Sequence, residues 1–333
     1  MRGEEELKMK LYLDFNIFVQ IQKEVDKYNK KIEYKTFLNN TENIDIFYTY
    51  AHCEEIARME DKGERLSLLN YFREITKNKE ILHTAFLNGD WINNKFYFFK
   101  EDIENCMDRT EQSLVYNESI YSGLKEDDVL HKEFRKNTEN VKVKENFFLE
   151  YSSDFLQYLE KCKITAKNSY IKSYLELYFY IYNRNSSIFS IEDHLIFSIC
   201  FREVKTYFLK LNIINCLINL CNKKISFSNF QDKIKKNLLS FSDTEFLIEL
   251  LMKFIYTKKI ATDKNAISKF FDVTHIIFAS QCNLFVSGDK KLITKCEMIY
   301  NFLGISTKIV YLENIGNDLF KKLDKILKEN LKS

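Results

Sequence analysis

Carboxylates from four separate stretches of this chain fall where the backbone pattern would bring them to one edge of a sheet. Lys10-Leu-Tyr-Leu-Asp14-Phe-Asn16 reads as a buried strand ending on an aspartate, and Ile44-Asp-Ile-Phe-Tyr-Thr49 reads as a strand leading into a helix that bears Glu54 and Glu55. Asp272 to Asp289 is a helix-like run feeding the strand Leu284 to Ser287, with one aspartate before the helix and one after the strand. With no lysine or histidine placed to neutralise them all, three or four gathered carboxylates would repel one another unless a divalent cation sat between them. The chemistry to expect is that of a metal site.

The elements that must position these acids follow from periodicity and turn residues. Lys10 to Thr49 is a strand, a helical stretch around Phe18 to Tyr28, and a second strand, a β-α-β pattern that favours parallel pairing and a right-handed crossover. Ala51 to Thr76 reads as helical, with Gly63 as the point of interruption. From Ile81 to Lys264 the pattern is one of long amphipathic stretches, Glu101 to Tyr121, Ser152 to Tyr182, Glu192 to Cys221 and Asp243 to Tyr256, with the charged segment Lys125 to Asn146 as a loop or hinge. Beyond Ser268 the α/β pattern returns: a helix over Phe270 to Gln281, the strand Leu284 to Ser287, a helix over Lys291 to Phe302 closed by Gly304, and a strand over Lys308 to Leu312. Residues 8–80 and 268–330 would complete one sheet, and 81–265 would form an all-helical insertion between the two parts.

In that order and on those elements, the motifs resemble the PIN domain, a metal-dependent nuclease fold. Leu13-Asp14-Phe15-Asn16 looks like the family's first motif, and Thr49-Tyr-Ala-His-Cys-Glu54-Glu55-Ile56 like its second. Asp272, with Ala279 and Phe285-Val-Ser287-Gly-Asp289, is similar to the third and fourth. The match covers less than half of the chain. It implies a three-layer α/β/α sandwich around a parallel sheet, with the helical insertion added, and hydrolysis of RNA phosphodiester bonds at an acidic pocket holding Mg²⁺ or Mn²⁺. Hard oxygen ligands suit those ions, which keep several waters and so can supply a nucleophile. Asp14 would be the central catalytic and metal-binding residue, Asp272 and Asp289 would flank it, and Glu55 would bind metal directly or through water.

Several neighbours carry two readings each. Glu54 is the alternative to Glu55, the two lying about 100° apart around a helix. Asn16 and Ser287 would orient a ligand or contact phosphate, or serve as simple turn residues. His275, one turn after Asp272, would position substrate or a water, or be a partly buried residue satisfied by a carbonyl. Lys290 and Lys291 would steer phosphate, or be solvated lysines at a helix start. Phe96-Tyr-Phe-Phe99 reads first as packing and second as a base-stacking surface. Glu192-Asp193-His194 reads as a first-turn cap complementing the helix dipole.

Composition bounds the function class. A net charge of +2 argues against a protein that coats polyanions and leaves room for a local basic patch. The eight cysteines include no C-x-x-C pair, which disfavours zinc and fits reduced thiols in a cytoplasmic protein. The first residues lack the apolar core of a signal peptide, and the most apolar stretch, Leu211 to Cys221, is broken by asparagines and too short for a bilayer, so no membrane partner is expected. The expected partners are an RNA substrate, a second copy of the chain as a homodimer, and an inhibitory or regulatory protein, since proteins of the resembled kind often act as toxins or in phage defence. Two other readings compete. One is a catalytically silent PIN-like scaffold binding protein or nucleic acid through its insertion. The other is a phosphotransferase with an aspartate nucleophile, which would want Asp-x-Asp where this chain has Asp14-Phe-Asn16.

Overall fold

Met9–Leu13 forms the first strand, β1, and its last three residues are all buried, as in a strand covered on both faces. The computed structural model describes residues 8–83, 95–111, 147–182, 191–258, 260, 266–313, 316 and 318–331. After β1 come α1 (Phe15–Asp26), α2 (Lys31–Asn40) and β2 (Ile44–Phe47). The crossover thus holds two helices where the sequence predicts one, and the break between them includes Asn29 at φ 55°, a conformation asparagine tolerates better than most residues. β2 pairs in parallel with β1, Met9 opposite Ile44 and Tyr12 opposite Phe47.

Helix α3 (Tyr50–Ala57) and helix α4 (Lys62–Thr76) divide the helical stretch expected over Ala51 to Thr76. The interruption falls before Gly63, because Asp61 caps α4 by accepting from the Glu64 amide at 2.8 Å. Two further strands, β3 (Lys79–His83) and β4 (Phe96–Lys100), form an antiparallel pair. They correct the expectation that the region from Ile81 to Lys264 is all helical. β3 touches the main sheet through a parallel bridge of Tyr48 with Glu80, the Tyr48 amide donating to the Lys79 carbonyl at 3.0 Å and the Ile81 amide to the Tyr48 carbonyl at 2.9 Å. Part of the aromatic run of β4 packs: Phe98 meets Phe47 edge to face at 5.1 Å and the Lys10 ammonium sits 3.5 Å from the Phe98 ring centre, while Tyr97 is exposed. Residues 103–111 are helical and are termed α5. The expected loop Lys125 to Asn146 lies outside the described residues.

The chain divides into two compact units, Met1–Val143 with Leu251–Ser333, and Lys144–Leu250. The elements described in the second are all helices, and include α6 (Phe147–Glu150), α7 (Ser152–Tyr182), α8 (Ile191–Cys221), α9 (Phe227–Lys235) and the start of α10 (Phe241–Thr257). Phe148, Phe155, Leu159, Leu217 and Phe230 are buried in it. The side chains of Glu192, Asp193 and His194 lie outside the described set. No helix among the described residues is long and apolar enough to cross a membrane.

In the first unit, α11 (Ala266–Ala279), β5 (Leu284–Ser287), α12 (Lys290–Leu303) and β6 (Lys308–Tyr311) complete a mixed α/β arrangement, followed by α13 (Leu319–Leu331). Gly304, at φ 68°, closes α12 in the left-handed conformation that the sequence predicts for it. The four-stranded sheet has the order β2-β1-β5-β6, every pair parallel. Leu11, Leu13, Ile44, Ile46, Leu284 and Val286 join one apolar cluster with residues of α1, α4 and α13, while Tyr12, on the opposite face of its strand, approaches Phe285 at 5.8 Å. From β1 the chain moves outward to β2, and from β5 it moves outward in the opposite sense to β6. The direction therefore reverses between β1 and β5, and the crevice outside the carboxyl ends of these two strands is where open α/β sheets bind ligands.

Burial raises the Glu80 carboxyl from its ordinary 4.5 to about 7, against the pull of Arg109. Between those values the unfolded chain has lost the proton that the folded chain keeps, so stability falls as pH rises through this window and levels above it. Relative to Glu80→Gln, wild type should lose on the order of 2 kcal/mol across the window. Urea unfolding of both proteins at its two ends checks this, and parallel curves would contradict it.

Candidate functional site

Asp14 follows β1 directly and lies at the reversal point, its amide donating to the Val286 carbonyl at 2.9 Å. One carboxylate oxygen accepts from the Phe15 amide at 2.8 Å, so the aspartate also caps α1. The other accepts from the Asn16 side-chain amide and from the Ser287 hydroxyl at the end of β5. Asn16 in turn accepts from the Gly288 amide at 3.1 Å, and Ser287 accepts from the Asp289 amide at 2.9 Å. These two small polar residues thus do more than turn the chain. They stitch the ends of two neighbouring strands together around one buried carboxylate. Asp289 continues the pattern as the cap of α12, accepting from the Lys291 and Leu292 amides at 2.7 and 3.1 Å. Lys290 is exposed in the first turn of that helix.

A second line of contacts enters from α3. The Thr49 amide donates to Nδ1 of His52 at 3.1 Å, so the ring proton sits on Nε2, which donates to the Leu13 carbonyl at 2.9 Å. That bond ties the first turn of α3 to the residue before Asp14. Glu55, further along α3, accepts from Nε2 of His275 on α11 at 2.9 Å, while Nδ1 of His275 meets the Tyr12 hydroxyl at 2.8 Å and Tyr12 meets Thr49 at 3.0 Å. Glu55, His275, Tyr12 and Thr49 therefore form one hydrogen-bonded chain, all but its Glu55 end buried. Glu54, the neighbour of Glu55, is itself buried, and its Oε2 has no hydrogen-bond partner among the described residues.

The remaining acid stands differently. Asp272 lies inside α11 and not at its start, because the helix begins at Ala266, before the position the sequence predicts. Its carboxylate pairs with Lys295 of α12, whose side chain is fully buried and whose ammonium also reaches the Tyr256 hydroxyl at 3.4 Å. Two of the acids thus already meet a basic side chain: Lys295 meets Asp272, and His275 meets Glu55. The signals were weak in sequence. Lys295 sits five residues into a helix among Ile293, Thr294 and Cys296, and nothing in its spacing marks it as buried.

The charges sense one another. Burial raises the Asp14 carboxyl to about 6, with Glu55 and Asp289 pushing the same way and His275 and Ser287 pulling it back. Burial raises Glu54 to about 7, against Arg58 and His275. His275 also pays for burial, yet its bond to Glu55 and the charges of Asp14 and Asp272 lift it above the ordinary imidazole value, whereas burial and the neighbouring His275 drive His52 well below it. Two imidazoles 4.9 Å apart are thereby separated into one that tends to charge and one held neutral.

Asp14, Glu55 and Asp289 fit Mg²⁺ or Mn²⁺ in chemistry, being hard oxygens around a buried carboxylate whose own charge is strained by its neighbours. Their present contacts are internal: among the described residues, no group of three or more His, Cys, Asp and Glu side chains is already placed to hold an ion.

Because Asp289 caps α12, its loss has a stability cost separate from any chemistry. Asp289→Ala should destabilise the protein by about 1 kcal/mol, and Asp289→Asn, which can still accept from the same amides, by a few tenths. Denaturant titration of the two variants checks the difference.

No protein-family model, no curated protein and no solved structure matches this chain.

Proposed function

We propose that this protein is a metal-dependent endoribonuclease, with Asp14, Glu55 and Asp289 as the residues that would hold Mg²⁺ or Mn²⁺. The observation that carries the reading is the position of Asp14 and Asp289 at the reversal point between β1 and β5, joined through Ser287. The reading takes the four-stranded parallel sheet and its helices as a PIN-like three-layer α/β/α sandwich, with the helical unit as an insertion that selects RNA or holds a protein partner. It places the protein with its substrate in the cytoplasm.

When bound, the ion would supply Lewis acidity and offset charge at the phosphodiester. The work of the chain's own residues is positional. Ser287 and Asn16 fix the rotamer of Asp14 by donating to one of its oxygens. His275, backed by Tyr12, holds the Glu55 carboxylate against α11. The burial of Asp14 keeps water from competing for its oxygens, which strengthens whatever cation it meets.

One observation favours a second reading. Asp272 and Glu55 already meet internal partners, Lys295 and His275, as they would in a PIN-like scaffold whose acids have become structural. Incubating wild type, Asp14→Asn and Asp289→Asn with total RNA and with single-stranded DNA, in Mn²⁺, Mg²⁺ or EDTA, separates the two. The nuclease reading expects RNA cleavage that needs metal and falls at least a hundredfold in each variant, with both variants folded, since an uncharged side chain at Asp14 removes a strained buried charge. Absence of cleavage by wild type in every condition would favour the scaffold.

A further inference from the structure

Helix α7 of the helical unit carries two apolar faces. On one, Leu159, Ala166 and Ser173 recur once per heptad and are buried together with Leu177, and α7 packs along α8. On the other, Ile164, Ile171, Tyr174, Leu175 and Tyr178 stay between 43% and 60% exposed. Tyr174 stacks on Tyr170 at 6.3 Å, and Tyr170 meets Phe208 of α8 at 6.4 Å, so Phe208, exposed to a similar degree, extends the second face. The spacing along this face is not that of scattered surface residues. Ile164, Asn168, Ile171, Leu175 and Tyr178 follow one another at alternating intervals of four and three, the seam of a paired helix. Lys167 and Tyr174 border the seam on one side and Lys172 on the other, where it pairs within the helix with Glu176 at 3.8 Å. Side chains of about 200 Å² that are half exposed leave roughly 600 Å² open on each copy, so a symmetric pair would bury about 1,200 Å², enough for a specific interface.

We propose that this face of α7 is the seam of a homodimer, in which α7 lies antiparallel against α7 of a second copy about a two-fold axis passing between Ser169 and Tyr170. A polar residue within an apolar seam needs a partner of its own, and the symmetric mate supplies it: both Asn168 side chains flank the axis and meet there. Ile164 then lies against Leu175 of the second copy, apolar on apolar, as an interface between identical surfaces requires. Charge selects the direction. Parallel pairing sets Lys167 against Lys172 of the second copy on both borders, whereas the antiparallel pair sets Lys167 beside the Tyr174 ring of the second copy, a cation-π arrangement. The homodimer expected from the sequence thereby gains a surface outside the α/β unit, and its existence does not depend on the metal-dependent reading.

Sedimentation equilibrium of the full chain under reducing conditions is the test. Wild type should be dimeric at micromolar concentration. Ile171→Glu and Leu175→Glu should each weaken the dimer by roughly a hundredfold, because symmetry puts each new carboxylate into the seam twice, with helical circular dichroism unchanged. The double variant Ile164→Lys with Leu175→Glu, whose opposite charges meet only across the interface, should regain the dimer. A wild type that is monomeric at every concentration would overturn the proposal and leave the face to a partner of another kind, and a dimer that survives both glutamates would overturn it too. A folded double variant that stays monomeric would overturn the antiparallel register. Should a glutamate unfold α7, Ile171→Ala with Leu175→Ala takes its place, alanine being the strongest helix former: loss of the dimer then supports the seam and its retention overturns it.

Discussion

The structure around the crevice depends on one buried carboxylate. Asp14 must be desolvated because it ends a strand that is covered on both faces, and a desolvated carboxylate must find donors. It finds them in its own helix start, in Asn16, and in Ser287 from the adjacent strand. Since β1 and β5 are far apart in the chain, these bonds fix how the two parts of the α/β unit meet at their carboxyl ends. The register of Leu11 with Leu284 and Leu13 with Val286 brings the strand ends level, and the polar bonds lock the residues just beyond them.

Around that centre the fold uses the same few side chains both to hold elements together and to shape the charge of the crevice. His52 accepts from the backbone of α3 and donates to the last residue of β1, so it joins helix to strand while remaining neutral. His275 does the opposite, joining α11 to α3 through a carboxylate and leaning toward the charged form. Asp289 starts a helix and also raises the proton affinity of Asp14. Structural and electrostatic roles therefore cannot be separated by inspection of any one residue, and only variants that preserve the hydrogen bonds while changing the charge can divide them.

Much of this was legible in the sequence where local signals were strong. The strands at Leu11, Ile44, Leu284 and Lys308, the long helices from Ser152 and Ile191, and the cap at Gly304 all follow from apolar periodicity and turn chemistry. The meeting of Asp14 with Ser287 and Asp289 follows from the topology those strands imply. What was not legible depends on tertiary packing. The strands β3 and β4 were hidden because aromatic residues such as Phe96 and Phe98 pack equally well on a helix or a strand, and the chain offers no proline and little glycine to mark the change. α13 does carry a local signal, since Leu319, Leu323 and Leu327 recur at helical spacing. Lys295 and the link from Tyr12 to His275 join residues 23 and 263 positions apart, respectively, and no local pattern records such contacts.

The two borders of the sheet differ in a way that bears on self-association. At β2 the border is continued by the bridge to β3, and Lys79 pairs with Asp45 across it. At β6 the outermost strand has only four residues, begins on the exposed Lys308 and ends on the exposed Tyr311. Brevity and a lysine at the free border are features by which proteins discourage the addition of a foreign strand. Among the described strands, non-native extension of the sheet, of the kind that seeds aggregates, is thus opposed at β2 by the bridge to β3 and at β6 by charge and shortness.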